Sequence, residues 1–367
     1  MVKVLSVFGT RPETIKMAPL VKELERREEI ESIVCVSGQH RQMLDQVLRV
    51  FDIHPEYDLD IMKPGQTLAN ITEAILHKMG EVLTEVRPDI VLVHGDTTTA
   101  FSAALCAFYH QIPVGHVEAG LRTYNKYSPF PEEINRQFIS LVADMNFAPT
   151  ELAKQQLLSE GKNPDTIYVT GNTAIDAMSL TVRPDYEDET VRWARGSRLI
   201  VLTAHRRENL GAPMRGMFRA IRRICERHPD VKVVYPVHLN PAVQEAAREV
   251  FGDAEHVRLI SPLEVVEFHN LLAKSYLILT DSGGIQEEAP SLHKPVIVLR
   301  DTTERPEGVE AGTLRLAGTD EETIFEMVDT LLRDKTQYDA MARAENPYGD
   351  GKASVRIADA ILRRFGS

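Results

Sequence analysis

The chain has 367 residues, 43% hydrophobic and 26% charged, with a formal net charge of −12. That is about twice an ordinary domain length, so two domains of similar size are expected, and the acidic balance works against nonspecific binding to nucleic acid or anionic membrane. No apolar run approaches the roughly 18 residues of a membrane-spanning helix, and Cys35, Cys106 and Cys225, odd in number and widely spaced, read as reduced packing residues with no disulfide framework or zinc site.

The N-terminal MVKVLSVFG enters a strand pattern at once, without a basic region, a long apolar region or a small-residue cleavage site, so a cytoplasmic location is expected. Short β-branched runs then alternate with segments of helical period, which predicts βα units and parallel sheets, an α/β fold. The first strands are 2–8, 31–37, 89–95, 112–118, 145–149 and 166–170, with helices such as 12–27 and 97–110 between them. After the polar stretch RPDYEDET (183–190), a hinge candidate, strands restart at 198–204, 231–237, 257–261, 276–280 and 295–300. Two doubly wound halves result, 1–176 and 177–350.

In open α/β sheets ligands bind beyond the carboxyl ends of the strands. Almost every strand here ends in polar or small residues: Gly9-Thr10-Arg11, Gly38-Gln39-His40, His94-Gly95-Asp96, Glu118, Gly171-Asn172, His205-Arg206, His238, Asp281-Ser282-Gly283-Gly284 and Arg300-Asp301. Such a series from both halves suggests two rims serving one interdomain cleft.

In FGTRPETIK (8–16), Gly9 permits a tight turn and Pro12 suits a first helical turn. Arg11 and Lys16 put cations near a helix start, where the dipole disfavours them, so an anionic ligand explains them better than fold stability does; the alternative is a solvated surface pair. Asp96 in HGDTTTAF reads equally as a helix N-cap or a site carboxylate. Glu118 ends an apolar strand and caps nothing obvious. Glu132 and Glu133 open a helix after two prolines, where the dipole alone could account for them, and Arg136 is spaced to pair with Glu132. His205 ends a strand with Arg206 and Arg207 behind it; a metal pair with Glu208 lacks a third ligand, and a phosphate-contacting or acid-base role fits better. His238 occupies the same position one strand later, where a structural role is nearly as good a reading. In TDSGGIQEEAP (280–290), two glycines open a helix after a strand, an arrangement suited to a phosphate, yet Glu287 and Glu288 follow at once. There is no G-x-G-x-x-G after the first strand, no P-loop and no G-x-S-x-G elbow, which disfavours a dinucleotide oxidoreductase, an NTPase and an α/β-hydrolase.

Taken together, GTRPE, GQHR, HGDTTT, HVEAGLRT, PFPEEINR, TGNT, LTAHRREN, PVHLNP, TDSGGIQEEAPSL and LRDTTERPEG resemble the bacterial non-hydrolysing UDP-N-acetylglucosamine 2-epimerases over essentially the whole chain. The resemblance implies the glycosyltransferase-B architecture, two Rossmann-like domains with the active site in the cleft and a C-terminal helix (about 351–367) returning to the first domain. It implies interconversion of UDP-GlcNAc and UDP-ManNAc without cofactor or metal, by elimination of UDP to a 2-acetamidoglucal and readdition, supplying ManNAc for cell-surface polysaccharide. Carried over by motif, Asp96, Glu118 and Glu132 would be catalytic carboxylates and His205 a site histidine at the diphosphate. Arg11, Lys16, Arg136 and Arg305 would be substrate contacts, with Ser282, Gly283 and Gly284 on the diphosphate, Phe268 on the uracil and Glu288 on the ribose. Gln39, His40, Gln42, Gln66, Arg206 and His238 match a second site that binds UDP-GlcNAc as activator. Gly65 and Leu263 depart from relatives that carry arginine and glutamine there, which bears on activator affinity and on base reading. A homodimer is implied, without nucleic-acid or membrane partners. A hydrolysing relative releasing UDP and ManNAc, and a glycosyltransferase of the same architecture, are the competing readings.

Overall fold

The computed structural model describes residues 1–38, 41–63 and 65–366, the side chains of 41–43 excepted. The chain forms two compact units, Met1–Leu180 with Tyr348–Ser367, and Thr181–Pro347. The polar stretch 183–190, expected as the hinge, lies wholly inside the second unit. Its backbone is committed there: Arg183 N donates to Asn270 Oδ1 at 2.7 Å, and the Asp188 side chain caps helix Glu189–Ala194.

Among the described residues the first unit holds a seven-stranded sheet built from β1 (Val2–Phe8), β2 (Ile30–Val36), β3 (Tyr57–Asp58), β4 (Ile90–His94), β5 (Val114–Val117), β6 (Met145–Ala148) and β7 (Ile167–Val169), in the order β3-β2-β1-β4-β5-β6-β7. The second holds β8 (Arg198–Thr203), β9 (Val231–Pro236), β10 (Val257–Ile260), β11 (Leu277–Thr280), β12 (Val296–Val298) and β13 (Leu314–Leu316), in the order β10-β9-β8-β11-β12-β13. All pairings are parallel. Both are Rossmann-like orders that reverse beside the first strand, so the ligand position falls at the carboxyl ends of β1 and β4 in one unit and of β8 and β11 in the other.

Helices cover both faces of each sheet, which is why the strands read as continuous apolar runs. Strand alternation sends Val4 and Phe8 into one core layer and Leu5 and Val7 into the other. In the second unit Ile200 and Leu202 face one layer, Leu199 and Val201 the other. Helix Ala353–Phe365 belongs to the first unit: Ile357, Ala358 and Ile361 are buried with Met17, Leu20 and Leu24, and Asp176 accepts from the N–H groups of Ala353 (3.2 Å) and Ser354 (2.8 Å) at its start. The three cysteines are free and buried; burial pushes the Cys35 and Cys225 thiols up to about 12, leaving them inert packing groups.

Candidate active-site residues on two strand rims

On the first unit, β1 runs through Gly9 into helix Arg11–Glu25. A Cβ on Gly9 would lie 1.8 Å from Ser37 Oγ, so only glycine lets the turn approach β2 this closely. Thr10 and Glu13 form a capping box, and Glu13 accepts from Gly9 N (3.1 Å), Thr10 N (2.8 Å), Thr10 Oγ1 (2.7 Å) and Thr97 Oγ1 (2.6 Å), lacing the turns after β1 and β4 together. Burial nonetheless pushes the Glu13 carboxyl above its ordinary value.

One turn into that helix, Lys16 reaches across the sheet and donates from Nζ to Glu118 Oε2. Asn172 Nδ2 donates to the same oxygen at 3.0 Å, and His94 Nε2 stands 3.7 Å from it. Glu118 follows β5 with φ of 65°, a left-handed backbone that is strained for a glutamate. Asp96, in the turn after β4, pairs through Oδ2 with Arg136 at 2.7 Å. Burial pushes the Asp96 carboxyl above its ordinary value; Arg136 opposes this, Glu118 adds to it, Lys16 opposes it and Glu132 adds to it.

The expected Arg136–Glu132 pair is not what forms. Arg136 takes Asp96, with Glu133 at 3.8 Å and the Glu132 backbone carbonyl at 3.4 Å, because the helix Glu132–Val142 starts beside the β4 turn and turns this face toward it. Nor is Asp96 a helix N-cap. Thr97 fills that role, accepting from Ala100 N at 3.0 Å, which leaves the Asp96 carboxylate to the site. Glu133 is buried and accepts from Thr123 N (2.9 Å), Tyr124 N (3.0 Å) and Gln137 Nε2 (2.7 Å), pinning the loop before its own helix. Glu132, at the helix start, is half-buried.

On the second unit, Asp281, fully buried after β11, accepts through Oδ2 from the N–H groups of His205 and Arg206 (2.8 Å each) and at 3.4 Å from Asn209 Nδ2. Its Oδ1 lies 3.4 Å from His205 Nδ1, an ion-pair distance without a hydrogen bond. His205 stacks on His238, ring centroids 5.3 Å apart, and His238 Nδ1 accepts from Asn240 N at 3.0 Å. Burial lowers the proton affinity of His205 against the pull of Asp281, and His238 and Arg206 lower it further. Arg206 Nε donates to the Asp281 carbonyl at 2.8 Å, and its guanidinium lies 3.6 Å from Glu304.

Helix Gly283–Glu288 starts with Ser282 at its N-cap, whose hydroxyl makes no capping bond. Glu287 turns inward, buried, and binds Arg305 Nε at 2.5 Å, which holds the guanidinium 3.7 Å from where a Gly283 Cβ would be. Glu288 points the other way, 3.9 Å from His269 Nε2, while His269 Nδ1 meets Thr181 Oγ1 at 2.7 Å. Phe268 is partly buried against the core layer containing Ile285.

The first rim thus gathers Lys16, Asp96, Glu118, Glu132 and Arg136, with Arg11 half-buried at the start of its helix; the second gathers His205, Arg206, His238, Ser282, Gly283, Gly284, Glu288 and Arg305. Gln66 Oε1 accepts from Lys63 N at 2.7 Å in the loop before helix Leu68–Val86. Gln39 and His40 lie outside the described residues, as does the side chain of Gln42. Sequence reasoning missed Glu13, and named Asn172 and Asp281 only as strand-end residues, without a role. The T-x-x-E signature at Thr10–Glu13 marks the first, and Asn172 and Asp281 each stand just past a strand end, as the assigned residues do.

A model of the UDP-N-acetylglucosamine 2-epimerase family matches residues 22–362. The UDP-N-acetylglucosamine 2-epimerase of Bacillus subtilis (strain 168) is 63% identical over 364 residues, 99% of this chain and 96% of that protein. The crystal structure of a putative UDP-N-acetylglucosamine 2-epimerase from Listeria monocytogenes superposes with a TM-score of 0.96 at 58% identity, covering 99% of this chain and 96% of the other. That of the UDP-GlcNAc 2-epimerase from Neisseria meningitidis bound to UDP-GlcNAc gives 0.88 at 49%, covering 99% and 100%.

Proposed function

Because this chain belongs to the UDP-N-acetylglucosamine 2-epimerase family, we propose that it interconverts UDP-GlcNAc and UDP-ManNAc without net hydrolysis. The proton at C2 of the sugar is not next to a carbonyl, so enolisation is unavailable. Elimination of UDP across C1 and C2 gives a 2-acetamidoglucal, and readdition with reprotonation at the other face of C2 completes the inversion. This route needs a base, an acid for the opposite face, and donors for the departing diphosphate.

The observation that carries the reading is the pair of carboxylates in unlike surroundings: Glu118 held by Lys16 and Asn172, and Asp96 pushed up by burial yet gripped by Arg136. Groups whose surroundings differ in this way are suited to divide acid and base work. In this reading Asp96, Glu118 and Glu132 handle the protons at C2, and Arg11, Lys16 and Arg136 meet the substrate beside them. Ser282, Gly283, Gly284, His205 and Arg305 hold the diphosphate, Glu288 accepts from the ribose hydroxyls, and Phe268 lies on the uracil. UDP-GlcNAc also acts as activator through Gln39, His40, Gln42, Gln66, Arg206 and His238, in a cytoplasmic homodimer that supplies ManNAc for surface polysaccharide.

Separating the products of a long incubation with UDP-GlcNAc by anion exchange tests the non-hydrolysing assignment. The expected result is a stable mixture of two nucleotide sugars. Steady conversion to free UDP and ManNAc would instead assign the hydrolysing reaction.

A further inference from the structure

His94 ends β4, is only 3% exposed, and its Nε2 has no hydrogen-bond partner. A buried polar atom left unpaired is costly. This one does not face apolar core: it stands 3.7 Å from Glu118 Oε2, the oxygen that accepts from Lys16 and Asn172. Behind it, His116 on β5 is fully buried and donates from Nε2 to the Gly95 carbonyl at 2.7 Å, fixing the turn that joins His94 to Asp96.

We propose that His94 is a positioning residue for Glu118: its Nε2–H is a further donor to that carboxylate, engaged as the rim tightens on substrate, and it sets the pH at which Glu118 works. This rests on the assignment of Glu118 to proton transfer at C2. Hydrogen bonds in unliganded sites are commonly long and shorten in the complex. A lone pair on Nε2 would face the carboxylate lone pairs and repel them, so the proton belongs on Nε2. Burial pushes His94 down to about 4, so the imidazole is neutral at ordinary pH and holds the carboxylate without changing charge itself. The other groups around the pair are Lys16 from helix Arg11–Glu25, Asn172 after β7, His116 on β5, and Asp96 after β4 with Arg136 and Glu132 of helix Glu132–Val142 about it.

A donor to the ionised carboxylate favours that form. Removing it raises the proton affinity of Glu118, so the limb of the kcat profile that Glu118 governs moves to higher pH whether the residue acts as acid or base. His94→Phe is expected to lower kcat by about 10–100-fold, the scale of one lost hydrogen bond to a charged group, with KM for UDP-GlcNAc little changed and that limb displaced upward. His94→Gln, which restores a donor, recovers part of both. A Phe variant with native kcat and pH profile, beside an inactive Glu118→Gln, overturns the role of His94. Native turnover in Glu118→Gln overturns the underlying assignment of Glu118 instead. If the Phe variant does not fold, 15N NMR of the native protein with UDP decides: a protonated His94 Nε2 supports the proposal and a bare one overturns it.

Discussion

At the scale of single residues, Glu118 and Asp96 occupy neighbouring strand ends but differ in what holds them. Glu118 has an ammonium and an amide on one oxygen, and its backbone is left-handed at φ of 65°. Asp96 has a guanidinium at 2.7 Å, and partial burial raises its carboxyl. If they carry the proton transfers, Asp96→Asn and Glu118→Gln each lose turnover by at least ~100-fold while isothermal titration still finds UDP bound. Near-native turnover in both would remove the carboxylates from the mechanism. Glu133, by contrast, is structural. Burial favours its neutral form, but the N–H of Thr123, the Gln137 amide, the N–H of Tyr124 and Arg136 together hold it below 4.5, its ordinary value. A depressed carboxyl stabilises the fold above that ordinary value and loses the contribution as pH falls through the folded value. Glu133→Gln should therefore cost about 1–3 kcal/mol at pH 7 in urea unfolding, with the gap to the native protein closing below pH ~4.5. A gap independent of pH would mean that charge is not what Glu133 contributes. The motifs made the positions of Asp96 and Glu118 legible, since both follow apolar strands. The partner of Arg136 was not legible, because helical spacing offered Glu132 while the approach of two elements distant in sequence selected Asp96.

Elements bring these residues to the rim through tight turns. Thr10, Thr97 and Glu13 cap and cross-link the helices that follow β1 and β4, and Gly9 allows the first turn to sit against Ser37. Gly9→Ala forces a Cβ into Ser37 Oγ and is expected to destabilise the protein by about 1–3 kcal/mol, measured by thermal or urea unfolding. Pairing it with Ser37→Gly removes the closest clash, leaving Thr99 Oγ1 at 2.9 Å, and should recover part of the loss; a double mutant no better than the single would place the strain elsewhere. Eleven strands were readable from β-branched runs. β3 was not, as two residues carry no pattern, and Leu314–Leu316 pairs with β12 through a three-residue run containing Arg315. Thr97 shows a finer limit: Asp and Thr are both good N-caps, and only the backbone decides which of two adjacent residues stands at the cap.

At the scale of the whole molecule, each unit has its own sheet and its own two core layers, and the last helix closes the first unit. The C-terminal helix and its destination were both expected only through family resemblance, since nothing in a helix's own periodicity names the surface that it covers. Ile361 lies fully buried among Met17, Leu20 and Leu24. Ile361→Ala should cost about 2–5 kcal/mol, and hydrogen exchange should lose protection in β1, β2 and helix Arg11–Glu25 while β8 to β13 keep theirs. Equal loss in both units would show that their stabilities are linked.

The proposed route, elimination of UDP and readdition, makes one direct claim about the proton at C2 of the sugar. The direct test is proton NMR of UDP-GlcNAc incubated with the protein in D2O. UDP-ManNAc is expected to appear, with deuterium entering C2 of both nucleotide sugars. UDP-ManNAc formed with its C2 proton retained would contradict the proposed route.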